Sequence, residues 1–351
     1  MLAAATSAAA MSARRYRQIS FFVNPASGNV EPSAREMVQT RLERLTDSLQ
    51  VHEVTPASKL VQEAQAAAEA GADLVVVAGG DGTIREAASG LVKTGVPLGI
   101  VPLGTFNNLA LSLGIPRELD AACAILENGR PRKIDVGLAD ERHFFFEAAG
   151  VGVDAELFPI GEMVKQGRRS MLLRAIRLVL SHRQSSVVLR FDQTIDAAYQ
   201  RSFRGSSPVR HRRHRFRSKR HRVRLRCSFL AVANGPYYGT NFAICPTASL
   251  DDGLLTIAVF RDFSKRELLT HLWSISGGRY HLHPKMELFE ARTLEVTSRK
   301  RLFVHVDGLP IGTTPVRFRT LHEALIVMVK PDPRDWGSPP ATAAQGRAAE
   351  G

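Results

Sequence analysis

The stretch Leu74–Thr83 reads Leu-Val-Val-Val-Ala-Gly-Gly-Asp-Gly-Thr, and it restricts the fold more than any other in the chain. A continuous aliphatic run without polar alternation is the pattern of a strand covered on both faces. It stops at glycines, and Ile84, Ala87, Ala88, Leu91 and Val92 then recur at helical spacing, with Gly95 beyond them. Strand, glycine turn and helix in immediate succession make a βα unit whose turn amides can approach phosphate oxygens. The helix N-terminus behind them adds a partial positive charge. Asp81 fits such a turn only through a metal ion or a hydroxyl, because a carboxylate repels phosphate. The plain alternative is a tight turn whose Asp81 caps the helix.

The unit recurs. Ile19–Val23 runs into Asn24-Pro25-Ala26-Ser27-Gly28, and Ala34, Val38, Leu42 and Leu45 follow at helical spacing after Pro32. Val51–Val54 reads as a strand, with Ser58 as the N-cap of a helix through Ala70. Val96–Val101 leads into Gly104-Thr105-Phe106-Asn107-Asn108 and a helix from about Asn108. Repeated βα units demand a parallel sheet with right-handed crossovers. Its three polar turns then share the C-terminal edge, where open α/β folds bind ligands, so a nucleotide crevice is expected there.

From Ile134 the pattern changes to strands: Phe144–Ala149, Val187–Phe191, Cys227–Ala233, Leu254–Phe260, Leu294–Thr297, Leu302–Val306 and Ala324–Val329. Helical patterns interrupt them near 162–182 and 264–277. The first puts Met171, Leu172, Ala175, Ile176, Val179 and Leu180 on one face among several arginines, which suits a domain-covering helix or a membrane-facing one. The 351 residues, at roughly 150 per domain, make two domains: an α/β nucleotide-binding domain over 17–135 and a β-rich, sandwich-like domain over 136–330. Residues 1–16 and 331–351 are expected to be disordered, and 1–13 lack the leading cation of a secretory signal. No run reaches the ~18 apolar residues of a membrane span. Cys123, Cys227 and Cys245 are widely spaced, which indicates free thiols in a reducing compartment.

The formal net charge of +13 is concentrated in one place. Residues 201–226, within a basic insertion at 200–226, hold 12 Arg or Lys, three His and no acid; the remainder has 35 bases against 34 acids. Low-complexity charge of this kind gives the sign of a partner and not its identity. Anionic lipid headgroups are the expected partner, at about 1 kcal/mol per basic residue near the surface. Nucleic acid would attract such a run equally, with strong salt dependence, but its binding domains usually spread charge over a folded face, so it is the less expected partner.

The ordered set NPASG, GGDGT and GTFNN resembles the diacylglycerol kinase catalytic domain shared by diacylglycerol, sphingosine and bacterial lipid kinases. The likeness continues through Asn234-Gly235-Pro236-Tyr237-Tyr238-Gly239, Pro246–Leu254 and Val306-Asp307-Gly308, so it covers residues 18–330. It implies a NAD kinase- or phosphofructokinase-like α/β domain, a β-sandwich domain, and transfer of the ATP γ-phosphate to a lipid hydroxyl, diacylglycerol-like or sphingoid. Nucleotide would be bound by Asn24, Thr55, Gly79, Gly80, Asp81, Gly82, Thr83 and Thr105. A structural Mg²⁺ would take the Asp252 carboxylate and the backbone carbonyls of Ser249 and Leu254, an oxygen set suited to a hard cation. The implied location is cytoplasmic, peripheral at the inner face of the membrane, and a homodimer is compatible with the sequence.

Three positions depart from the family. Its Gly-centred DGE motif carries the carboxylate that accepts the hydroxyl proton, whereas this chain reads Asp307-Gly308-Leu309; Asn108 stands for an Asp and Arg85 for an Asn. Leucine cannot accept a proton, so Asp81 and Asp307 are left as the candidate catalytic carboxylates. Two other readings follow: a NAD kinase, which shares only GGDGT, and a non-catalytic lipid or nucleotide binder.

Overall fold

The computed structural model describes residues 16–27, 32–55, 57–153, 155, 170–181, 183–194, 221–238, 242–261, 263–267 and 286–331. In the first part, strands and helices alternate: β1 (Tyr16–Val23), α1 (Pro32–Leu45), β2 (Thr46–Glu53), α2 (Leu60–Glu69), β3 (Leu74–Gly79), α3 (Asp81–Leu91), β4 (Leu98–Pro102), α4 (Asn108–Ser112) and α5 (Leu119–Asn128). The four strands pair in parallel in the order β2-β1-β3-β4. All six residues of β3 are buried, and α2 and α3 bury their apolar stripes in the same core. Each fully buried Val, Leu or Ile side chain there contributes roughly 1.5–3 kcal/mol.

The second part is almost all strand: β5 (Arg130–Ala139), β6 (His143–Phe145), β7 (Ala148–Gly152), β8 (Ser185–Phe191), β9 (Arg222–Cys227), β10 (Phe229–Ala233), β11 (Tyr237–Tyr238), β12 (Phe242–Ala243), β13 (Leu255–Phe260), β14 (Met286–Ala291), β15 (Thr293–Ser298), β16 (Phe303–Val306), β17 (Leu309–Thr313) and β18 (Val316–Val329). Among the described residues a helix interrupts them, α6 (Ser170–Ser181), and residues 265–267 are also helical. Six strands form an antiparallel sheet, β14-β13-β10-β7-β16-β17. Its Leu230, Val232, Ile257 and Phe289 meet Val187, Leu189, Leu294 and Phe318 of β8, β15 and β18 in one core, which makes a sandwich. The expected fold class is therefore the observed one.

The two halves share a strand. β18 pairs in parallel with β4 at Val327 and Leu98, and antiparallel with β5 and β15, so the parallel sheet extends into a ten-stranded one. The final strand, read from sequence as part of the β-rich domain, thus ties that domain to the nucleotide-side sheet.

Several local expectations change. Ser58 does not cap α2: Lys59 does, and its N–H is satisfied by Glu63 while the Ser58 hydroxyl accepts from Thr55. The helix from Asn108 stops after one turn at Leu113 and Gly114, which has φ +67°, and a new helix starts at Leu119. The strand expected over Phe144–Ala149 is broken at Phe146 and Glu147, and that break forms part of the site described below. β2 starts five residues earlier than Val51, at Thr46. In α6, Leu173 is 65% exposed beside exposed Arg174 and Arg177. Residues 162–169, 195–220 (most of the basic insertion), 268–277 and both chain ends lie outside the described residues.

Candidate active site

The parallel register brings the three predicted turns to one edge and hydrogen bonds join them. Asn24 N–H donates to the Ala78 carbonyl at 3.0 Å, and its Nδ2 donates to Thr83 Oγ1 at 3.0 Å. The Ser27 hydroxyl accepts the Gly80 N–H at 3.2 Å. Two glycines are dictated by close approach rather than by conformation. A Cβ on Gly104 would lie 2.5 Å from the Gly80 Cα, and one on Gly79 would lie 2.7 Å from the Thr83 Cβ. Gly82, in contrast, is exposed and faces open space.

Thr55 follows β2 at the same edge, because Val54 N–H donates to the Val23 carbonyl at 2.8 Å. It is exposed, and its hydroxyl lies 3.3 Å from that of Ser58. Thr105 is also exposed, with Arg117 donating to its carbonyl at 2.7 Å. Asn24, Thr55, Gly79 to Thr83 and Thr105 therefore share one rim.

Asp81 opens α3, yet its carboxylate serves another loop. It accepts the N–H of Asn107 at 3.0 Å and of Asn108 at 2.7 Å. Asn107 is buried in the left-handed region at φ 55°, and its Oδ1 is enclosed without a partner among the described residues. Asp81 thus fixes the GTFNN loop against the GGDGT turn.

Beyond this rim a narrow cleft runs between the two parts of the molecule, lined by Asp81, Ile84, Arg85, Leu109, Phe146, Glu147 and Asp307. Arg85 lies one helical turn after Asp81, so both project from one face of α3. Asp307 stands in the turn between β16 and β17 at φ 43°. Its carboxylate accepts three consecutive amides, those of Phe146 at 2.8 Å and of Glu147 and Ala148 at 3.0 Å. Burial pushes its carboxyl up to about 6, against the opposing pull of those amides and the Arg85 charge. The two candidate catalytic carboxylates are thereby brought to one cleft from opposite domains.

Glu147 was not visible from sequence as a site residue, because it ends a phenylalanine run that reads as core. Its side chain accepts from Asn108 Nδ2 at 3.0 Å. The Asn234-Gly235 motif holds the same turn from behind. Both its amides donate to the Glu147 carbonyl, at 2.9 and 3.1 Å, and Asn234 Nδ2 donates to the Phe146 carbonyl at 3.2 Å. Leu309, by contrast, is 47% exposed at the start of β17 and is not among the lining residues.

Ser249, Asp252 and Leu254 lie in one turn, stitched by another residue the sequence did not expose. Asp135 is fully buried and accepts the Gly253 N–H at 2.6 Å and the Glu323 N–H at 2.8 Å, with His322 Nδ1 at 2.8 Å. Asp251 pairs with Arg132 and with the Ser249 hydroxyl, which holds its carboxyl below the usual range, the hydroxyl contributing most. The Asp252 carboxyl is raised, first by burial and also by the charges of Asp135 and Asp251. Among the described residues no three His, Cys, Asp or Glu converge as a metal cluster. A single carboxylate under like-charge pressure, in a turn with peptide carbonyls, nevertheless fits a hard oxygen-seeking cation in kind.

Comparison with known proteins agrees with this architecture. The diacylglycerol kinase catalytic domain model matches residues 18–139, and the YegS C-terminal NAD kinase beta sandwich-like domain model matches residues 151–329. The chain belongs to the diacylglycerol kinase catalytic domain family. It is 24% identical over 316 residues to a diacylglycerol kinase of Staphylococcus aureus, covering 88% of this chain and 91% of that one. It is also 24% identical over 274 residues to that of Staphylococcus epidermidis, covering 77% and 78%. A solved diacylglycerol kinase from Bacillus anthracis superposes with a TM-score of 0.65 at 17% identity, covering 90% of this chain and 98% of that chain. A candidate diacylglycerol kinase from the same organism superposes at 0.69 and 21% identity, covering 90% and 99%. These superpositions speak for the fold alone. Family membership makes the chain a kinase, and its relatives do not favour the NAD kinase reading. Among the described residues no helix is long and apolar enough to cross a membrane.

Proposed function

We propose that this kinase transfers the γ-phosphoryl group of ATP to the hydroxyl of a membrane lipid, diacylglycerol-like or sphingoid. The observation that carries the reading is the cleft where Asp81 and Arg85 of the glycine-turn helix face Phe146, Glu147 and Asp307 of the β-rich part. Donor-side loops and acceptor-side carboxylates meet there across the two halves. Phosphoryl transfer asks a protein mainly for positioning and charge neutralisation; the glycine-turn amides and Arg85 would favour the phosphate charge, and the fixed carboxylates would position the groups around it.

Asn24, Thr55, Gly79 to Thr83 and Thr105 are the proposed nucleotide contacts. Asp81 and Asp307 are the proposed catalytic carboxylates, flanking the donor and the acceptor ends of the cleft. Asp252 and the carbonyls of Ser249 and Leu254 would hold Mg²⁺, which would supply positive charge and rigidity to that turn. Asn234 links this turn to the cleft, since its Nδ2 donates to both Asp135 and Phe146 carbonyls. The basic stretch 200–226 is the proposed attachment to anionic lipid at the cytoplasmic membrane face.

The test is a lipid panel with radiolabelled ATP and Mg²⁺, with Asp81→Ala as control. Label should enter a lipid alcohol with the native protein and not with the control. Folded native protein that labels no lipid overturns the reading and leaves the non-catalytic binder suggested by Leu309.

A further inference from the structure

We infer that Glu147 supplies the carboxylate that Leu309 cannot, and that it receives the proton of the acceptor hydroxyl; the inference rests on the phosphotransfer reading above. The turn without the acid and the turn that carries one are in contact. Asp307, two residues before Leu309, accepts the Glu147 N–H at 3.0 Å. Leu309 is 47% exposed and does not line the cleft, whereas Glu147 lines it together with Asp81 and Asp307. The acid is thus delivered to the same cleft from the neighbouring turn.

A general base works when it is held within hydrogen-bond reach of the proton it takes, and the Glu147 turn is pinned from several directions. Asp307 accepts its three amides, Asn234 and Gly235 donate to its carbonyls, and Asn108 Nδ2 fixes Glu147 Oε2 at 3.0 Å. Asp81 and Asp307 are committed differently. Asp81 accepts one amide on each oxygen, and Asp307 accepts two on Oδ1 and one on Oδ2. Protonating Asp307 would set an O–H donor against a row of N–H donors and loosen the turn. Asp307 therefore stays ionised to hold the turn, and the proton goes to Glu147.

In the step itself, a lone pair of the acceptor hydroxyl forms the bond to the γ-phosphorus. The bond from that phosphorus to the β,γ-bridging oxygen breaks, and ADP leaves with the electron pair. The hydroxyl proton moves to a Glu147 carboxylate oxygen and passes to water after the phospholipid departs.

The test is steady-state kinetics of native protein, Glu147→Gln, Glu147→Asp and the double variant Glu147→Gln with Leu309→Glu, on the lipid the panel identifies. Gln keeps the size and the acceptor for Asn108, so melting temperature and ATP KM should hold while kcat falls by ~10²–10⁴-fold. The double variant should regain part of the lost turnover. Glu147→Asp, which keeps the charge but withdraws it by one methylene, should lower kcat without moving ATP KM; it decides the matter if the Gln variant does not fold. Native kcat in the Gln variant, or in the Asp variant where that one decides, overturns the inference and leaves Asp307 as the acceptor. A native protein inert on every lipid overturns the phosphotransfer reading itself, and this inference with it.

Discussion

The donor rim and the acceptor turn of the cleft depend on different kinds of chemistry. At the rim the three turns are held by close backbone approach, with Gly104 packed on Gly80, and by side chains on main-chain amides, Ser27 on Gly80 and Asp81 on Asn107 and Asn108, with Asn108 a departure from the family there. At the acceptor turn the side chains differ from the family: Leu309 stands where an acid is usual, and Glu147 enters from the adjoining turn. Where backbone meets backbone or side chain in close approach, as at Gly104 and Gly79, no substitute fits, since a Cβ would occupy the space. A carboxylate needs only to arrive at the right point, and either of two touching turns can carry it.

Breaking the rim should have the largest effect. Asp81→Ala removes the acceptor for the Asn107 and Asn108 amides. Each buried N–H left unsatisfied costs about 1–3 kcal/mol. Misplacing the loop by ~1 Å is worth about 10²-fold in rate. Kinetics and thermal melting measure both, and turnover close to native would contradict the assigned role. Gly104→Ala comes next, because overpacking against Gly80 costs typically 1–3 kcal/mol. Calorimetric titration should show ATP affinity falling by roughly tenfold for each 1.4 kcal/mol that reaches the bound state.

The acceptor turn is probed more gently by pH. Burial raises the Asp307 carboxyl to about 6 in the folded protein, whereas an unfolded Asp titrates near ~3.9. Between these values the folded state binds more protons, so this group's contribution to global stability is full below about 4 and is lost as pH rises towards 6; burial favours the neutral acid even though it gives up part of its grip on the turn. Activity should move the other way, with kcat/KM rising through about pH 6 as Asp307 ionises and grips the 146–148 amides. Arg85 and Glu147 line the same cleft, so Arg85→Gln should move this limb to higher pH by withdrawing a charge that favours the carboxylate. The smallest effect is expected of Leu309→Glu alone, which should leave turnover near native because the cleft already has its acid. A large gain in that variant would mean that Glu147 does not fill the role.

Much of the rim was legible in the sequence because its signals are local. β3 declares itself by an unbroken aliphatic run, and the three turns by glycine and asparagine directly after strands. Their joining at one edge follows from the topology of a parallel sheet. The Ser58 cap was misassigned because a hydroxyl can serve a turn as well as a helix, and Thr55 took it first. The break at Phe146-Glu147 was hidden in an apolar run. What interrupts it is a carboxylate 160 residues away, Asp307, capturing its amides. Asp135 was hidden likewise, since its partners Gly253 and His322 lie 118 and 187 positions distant. Long-range polar contacts to main-chain atoms leave no pattern in either chain segment.

The central claim is that ATP lies on the glycine rim with its terminal phosphate directed into the shared cleft. A crystal structure with a non-hydrolysable ATP analogue and Mg²⁺ tests it most directly. The account predicts phosphates against the amides of Gly80 to Thr83, with the Ser27 hydroxyl displaced from Gly80, and the γ-phosphate beside Asp81, Arg85 and Glu147. An analogue bound away from that rim, or a rim that stays closed by Ser27 at saturating analogue, would contradict it.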